Sequence, residues 1–267
     1  MAYHGAGRRT VTLVLTIMIA GCSAGGRAGT TAAAGRGAST RPPLVHAPGP
    51  GESWGKPILS DDFGGTRVDT GKWQIYDEPN AASHPGTAAG THVSGGRLVL
   101  VGGLYNGKDE SAGVVSHLTQ TFGRWEARIR ADRGGGYSAT AFLWPTRLGA
   151  PEWAEIDFAE IIDPTRRTGG LFIHHGQDDQ QIMKTAYFDF TKWHTVAVDW
   201  LPDHITFWVD GKQIWIYQGP FIPKQADMHL YLRNETKEGF HRTASTPKRV
   251  PMEVDWIRVY RPPAGVR

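Results

Sequence analysis

Glu155, Asp157 and Glu160 lie close together in the run Pro151–Glu160, PEWAEIDFAE, which is otherwise mostly apolar and aromatic. Carboxylates held this near each other repel, and the repulsion drives their proton affinities apart. A cluster of this kind suits chemistry that needs one ionised and one protonated carboxyl at the same moment. The competing reading is a solvated strand face whose acids pair with cations on a neighbouring strand. Against it, the run holds no Lys or Arg, and Trp153 shares the parity of Glu155 and Asp157, so an aromatic plate is expected beside the acids.

The element that can hold such a cluster is a β-strand. Side chains alternate faces with a period of two, so Glu155 and Asp157 point one way while Ile156 and Phe158 point into a core. Glu160 has the wrong parity. One extra residue taken up as a β-bulge around Phe158 and Ala159 returns it to the carboxylate face, and bulges are frequent beside active sites. The spacing therefore predicts three acids on one face of a bulged strand.

The chain around this strand reads as a meander of many short strands. Helical periodicity is weak, and β-rich runs separated by Gly, Pro, Asp and Asn recur at 97–101, 124–130, 139–144, 170–174, 194–200, 205–209, 212–217, 228–232 and 250–260. Asp210 and Gly211 separate two of these runs and fit a type I′ hairpin turn. No internal repeat and no second folded domain is visible. The chain has ten tryptophans. Trp125, Trp193, Trp200, Trp208 and Trp256 are read as structural. Trp144 and Trp153 bracket the approach to the acids, where aromatic rings stack on the apolar faces of sugars, and both are read as sugar contacts.

The N-terminal residues belong to something else. Arg8 and Arg9 precede an apolar run from Val11 to Ala20, too short to span a bilayer but suited to a secretory signal. The run ends in Ile19, Ala20, Gly21 and Cys22, which resembles the lipobox of bacterial lipoproteins. Cys22 is the chain's single cysteine, so no intrachain disulfide is possible. Its place after the small residues favours lipidation over a buried thiol. Residues 22–50 are Gly-, Ala-, Thr-, Arg- and Pro-rich and cannot bury a core. As a flexible tether they span about 30 Å. The expected organisation is a signal peptide at 1–21, a tether at 22–50 and one folded domain at 51–267. The expected placement is exported and lipid-anchored at the cell surface, or else plainly secreted. Residues 1–50 hold five of the 29 basic side chains and none of the 26 acids, leaving 24 against 26 in the body. That balance gives no case for nucleic-acid binding.

With these motifs in order, the chain resembles a family 16 glycoside hydrolase of the laminarinase-like kind. The likeness rests on EIDFAE at 155–160 preceded by FLWP at 142–145, FGRWEARIR at 122–130, KWHTVAVDWLPDHITFWVDGKQIW at 192–215 and VDWIRVY at 254–260. DDF at 61–63, KW at 72–73 and GGRLVL at 96–101 fit as well. The resemblance implies an all-β, concanavalin-like jelly-roll sandwich of two curved antiparallel sheets with an open concave cleft. It implies Glu155 as nucleophile, Glu160 as general acid/base and Asp157 as the support of the nucleophile.

The chemistry of acetal cleavage agrees with those roles. A retaining reaction needs a proton for the leaving oxygen and a carboxylate at the anomeric carbon, supplied by two carboxyls about 5 to 5.5 Å apart. No metal or cofactor is needed. Asp255 matches a position that helps hold a structural calcium in many relatives, so that ion remains an option. His174 of the adjacent pair His174–His175 is the one expected in the cleft as a substrate contact; the pair with Asp178 and Asp179 lacks a clean metal-ligand spacing. The expected partner is a polysaccharide, most simply a β-1,3-glucan, cut internally by a monomer. A transglycosylase and a non-catalytic glucan-binding lectin stand as alternatives, while a serine hydrolase is disfavoured because no G-x-S-x-G elbow occurs. HLYLRNETKEGF at 229–240 departs from the family pattern and puts Arg233, Asn234 and Glu235 either in the cleft or on an outer polar loop.

Overall fold

Alternating burial turns these runs into strands that each own one wet and one dry face. In the computed structural model, which describes residues 54–147, 153–224, 226–236, 239 and 241–266, sixteen strands form. The signal, the tether and Cys22 lie outside the described residues, as do Pro151 and Glu152. The first eight strands are β1 (Leu59–Asp61), β2 (Trp73–Ile75), β3 (Thr91–Ser94), β4 (Arg97–Tyr105), β5 (Lys108–Glu110), β6 (Ala112–Gln120), β7 (Gly123–Ala131) and β8 (Tyr137–Pro145). The acidic run is β9 (Ala154–Ile161), and β10 (Thr168–His175), β11 (Gln180–Tyr187) and β12 (His194–Trp200) follow it. The chain closes with β13 (Ile205–Val209), β14 (Lys212–Tyr217), β15 (Met228–Thr236) and β16 (Arg249–Tyr260).

These strands make the β-jelly-roll sandwich expected from the sequence. One sheet runs β14-β13-β12-β7-β16-β4-β3, with β1 added on β16 and β5 on β4. The other, whose concave outer face is the cleft, runs β11-β10-β9-β8-β15-β6-β2. Its inward residues, among them Ala141, Leu143, Ile156, Phe158, Ile173 and Leu232, pack against Leu98, Ile129, Val198 and Phe207 of the first sheet in one core. Each of these side chains other than Ala141 contributes roughly 1.5–3 kcal/mol on burial. Trp73, Trp125 and Trp200 join that core, whereas Trp193 is half-buried beneath the guanidinium groups of Arg97, Arg128 and Arg130. The β13–β14 turn has positive φ at both Asp210 (50°) and Gly211 (73°), as a type I′ hairpin requires.

Two buried polar side chains hold the cleft sheet in place. Asn234, fully buried on β15, donates its Nδ2 to the carbonyls of Leu100 on β4 (3.1 Å) and Val250 on β16 (2.5 Å), tying the floor of the cleft to the opposite sheet. Arg166, also fully buried, donates Nη1 to the carbonyls of Ile161 (2.5 Å) and Tyr137 (3.0 Å) and Nε to that of Asp132 (2.9 Å). It fastens the end of β9, one residue beyond Glu160.

Candidate active site

The register of β9 against its neighbours contains one surplus residue. Toward β8, Ala159 faces Ala141 and Asp157 faces Phe142, so Phe158 has no partner of its own. Toward β10, Glu160 faces Gly170 and Asp157 faces Phe172, with the same step. Phe158 and Ala159 both enter the core, and Glu155, Asp157 and Glu160 fall together on the cleft face. The alternation rule fails at one point and returns the third acid to the side of the other two.

His174, opposite Glu155 on β10, is the cation of this cluster. Its Nε2 lies 3.2 Å from Asp157 Oδ2 and its Nδ1 2.8 Å from Asp179 Oδ1. Burial alone would make the ring harder to protonate. Hydrogen bonds to Asp157 and Asp179, with the charges of Asp157 and Glu155, outweigh it and lift the imidazole to about 11. The ring is therefore an imidazolium with both nitrogens engaged by carboxylates, and its contact with the site runs through Asp157. Asp179 reaches it from the β10–β11 turn, where its φ of 52° is left-handed.

Aromatic rings line the rest of the floor. Trp144 on β8 and Trp153 just before β9 meet edge to face at 5.4 Å, and Phe142 meets Trp144 edge to face at 6.2 Å. Phe142 also stacks on Tyr231 of β15 at 5.0 Å. Phe172 leans across Gly170, where any Cβ would come within 2.1 Å of its ring. On the edge strand β11, Met183 and Tyr187 are exposed on the same face. The strand parity of β15 separates the three unusual residues: Arg233 and Glu235 face the cleft, and Asn234 faces the core.

Among the described residues no group of three or more His, Cys, Asp or Glu side chains is placed to hold a metal ion. Asp255 accepts a hydrogen bond from Arg128 Nη1 at 2.7 Å, so its carboxylate is engaged by a cation.

Comparison with known proteins places this arrangement. Residues 87–255 match the family described as Glycosyl hydrolases family 16. The chain belongs to family 16 of the glycosyl hydrolases. A β-glucanase of Acetivibrio thermocellus is 25% identical over 213 residues, covering 75% of this chain and 62% of that protein, so the chain spans about three-fifths of the relative's length. The catalytic domain of an endo-1,3-β-glucanase (laminarinase) from Thermotoga petrophila RKU-1 shares the fold with a TM-score of 0.67 at 18% identity, covering 78% of this chain and 98% of that one. Porphyranase B from Zobellia galactanivorans superposes with a TM-score of 0.64 at 22% identity over 81% of this chain and 99% of the other.

Within this family 16 chain, the structure brings Glu155, Asp157, Glu160 and His174 together and sets Trp144 and Trp153 on the approach to them. Sequence reasoning missed Asp179 as the partner of His174, weighing it only as a metal ligand. It also missed Tyr76, Phe172 and Tyr231. Tyr231 had a signal in the strand parity of β15, whereas Tyr76 comes from a stretch with no alternation at all.

Proposed function

We propose that this chain is an endo-acting, retaining glycoside hydrolase that cleaves β-1,3-linked glucan through a covalent glycosyl-enzyme ester. The observation that carries the reading is the surplus residue in β9, which sets Glu155, Asp157 and Glu160 on one face of an aromatic cleft. Ionised Glu155 attacks the anomeric carbon while protonated Glu160 gives its proton to the departing glycosidic oxygen. Glu160, now a carboxylate, then takes a proton from water as the water oxygen displaces Glu155 from the anomeric carbon. Asp157, with His174 behind it, orients Glu155. The open groove and the aromatic rings along it suit binding in the middle of a chain rather than at its end. Export and lipid attachment at Cys22 complete the proposal and rest on the leader sequence.

The test is Glu160→Ala assayed on laminarin, lichenan, agarose, carrageenan, xyloglucan and galactan, with and without azide. Loss of hydrolysis on an unactivated glucan, with azide restoring turnover of an activated glycoside, supports the assignment. Undiminished hydrolysis by the variant refutes it. NMR of the first product should show the starting anomeric configuration, and an inverted product overturns the retaining mechanism.

A further inference from the structure

On β15, Arg233 and Glu235 stand two residues apart on the cleft face and form an ion pair between Nη2 and Oε2. Arg233 lies in the same cross-strand row as Glu160, with Thr140 of β8 between them. Two strand spacings, about 10 Å, therefore separate their backbones. Burial opposes the charge of the guanidinium, but Glu235, with smaller contributions from Tyr76 and Glu155, outweighs it and keeps the group charged.

Arg233 has a built seat. Its guanidinium carbon lies 4.9 Å from the Tyr76 ring centre and 5.4 Å from that of Phe142. Beneath it is Gly113, where a Cβ would come within 2.4 Å of Arg233 Cγ. Tyr76 is fixed in turn: its hydroxyl donates to the carbonyl of His84 at 2.9 Å, and its ring lies where a Cβ on Gly86 would have to be. His84 Nδ1 donates to the carbonyl of Thr236 at 2.6 Å and stands 3.9 Å from Glu235 Oε2. Rings against a guanidinium leave its edge as the working part, and the buried Arg233 Nε has no hydrogen-bond partner. A purely structural ion pair needs neither a vacated Cβ beneath the arginine nor a donor left unsatisfied.

We propose that Arg233 and Glu235 form a specificity-determining subsite that reads two free hydroxyls on the uncharged sugar next to the scissile bond. Arg233 donates to one hydroxyl oxygen, and Glu235 accepts from the other. This rests on the hydrolase reading above and names the substrate class for it. The ligand is a neutral sugar because the arginine's charge is already balanced by Glu235, and Glu155, Asp157 and Glu160 share the same face. A sulfate or uronate carboxylate placed there meets net negative charge, and a bulky ether at either hydroxyl removes the hydrogen bond that Glu235 or Arg233 makes to the sugar. Discrimination thus comes from both attraction and exclusion.

The experiment compares wild type with Arg233→Met, Glu235→Gln and the double variant Arg233→Met/Glu235→Gln. Methionine keeps an apolar stem between the rings, and the double variant leaves no unpaired charge, so a folding defect in one single variant does not decide the matter. Neutral gluco-oligosaccharides and their O-sulfated counterparts are used for hydrolysis and for binding followed by tryptophan fluorescence. The expected result is a KM for the neutral oligosaccharide raised about tenfold in every variant with kcat changed far less, and in the double variant no more than in the singles. The preference for the neutral over the sulfated ligand should shrink by a similar factor. Unchanged affinity and unchanged preference in the double variant overturn the subsite. If wild type cleaves none of the glycans, yet its binding of the neutral oligosaccharide weakens with Arg233→Met, the hydrolase reading falls and the subsite stands.

Discussion

His174 Nε2 sits 3.2 Å from Asp157 Oδ2 across the β9–β10 pair, and its other nitrogen is held at 2.8 Å by Asp179 Oδ1. A buried positive charge thereby stands against the acid cluster, and a residue in a reverse turn fixes the orientation of one on β10. The pair links the geometry of the bulge to a charge balance that depends on pH.

That dependence has a definite sign. Burial opposes protonation of His174, but the two carboxylates prevail and raise it from 6.5 to about 11. A group bound to its proton more tightly in the folded state stabilises that state fully below its unfolded value. The contribution is lost as pH rises toward the folded value. Urea midpoints should therefore fall between about pH 7 and 10 in wild type and fall less steeply in His174→Gln. Parallel curves for the two proteins would show that the imidazolium contributes no such stability.

Trp144 is half-buried at the approach to the acids, with Trp153 edge-on at 5.4 Å. Trp144→Ala removes a face on which a sugar ring can stack, and initial rates on polysaccharide should show KM raised about tenfold, equivalent to about 1.4 kcal/mol. A change confined to kcat would place the ring's influence on the acids instead of on the sugar chain.

Arg166→Met should destabilise the fold by about 3 kcal/mol, because the carbonyls of Asp132, Tyr137 and Ile161 lose their donor in a region without solvent. Equilibrium urea unfolding measures this. A loss below about 0.5 kcal/mol would mean that water replaces the guanidinium at that corner.

The strand of the acids and its bulge were legible because both follow from parity: two acids at matched positions, a third offset by one, and apolar residues between them; the jelly-roll sandwich was legible through the resemblance of the motifs to the family. Other parts carried no such pattern. Strand β11, QQIMKTAY, is an edge strand with polar residues on both faces, so it gives no alternation to read. Strand β6 has a register shift against β15 between His229 and Tyr231, which breaks its period. The partnership of Asp179 with His174 depends on a left-handed turn residue, and the seat of Arg233 on Tyr76 joins β15 to the residue just after β2, far apart in sequence. In both cases the residue types were plain and the contact was not, since only the closed sheet makes them neighbours.

The offset in β9 also bears on what small sequence changes do to the chain. Side-chain replacement at Phe158 or Ala159 alters packing, whereas deletion of either one removes the surplus residue and returns the strand to plain alternation. Glu160 would then stay on the face of Glu155 and Asp157, and Ile161 would stay in the core. Both glutamates thus keep their face when one of these backbone units is lost, and a one-codon deletion there separates the role of the bulge from that of the acids.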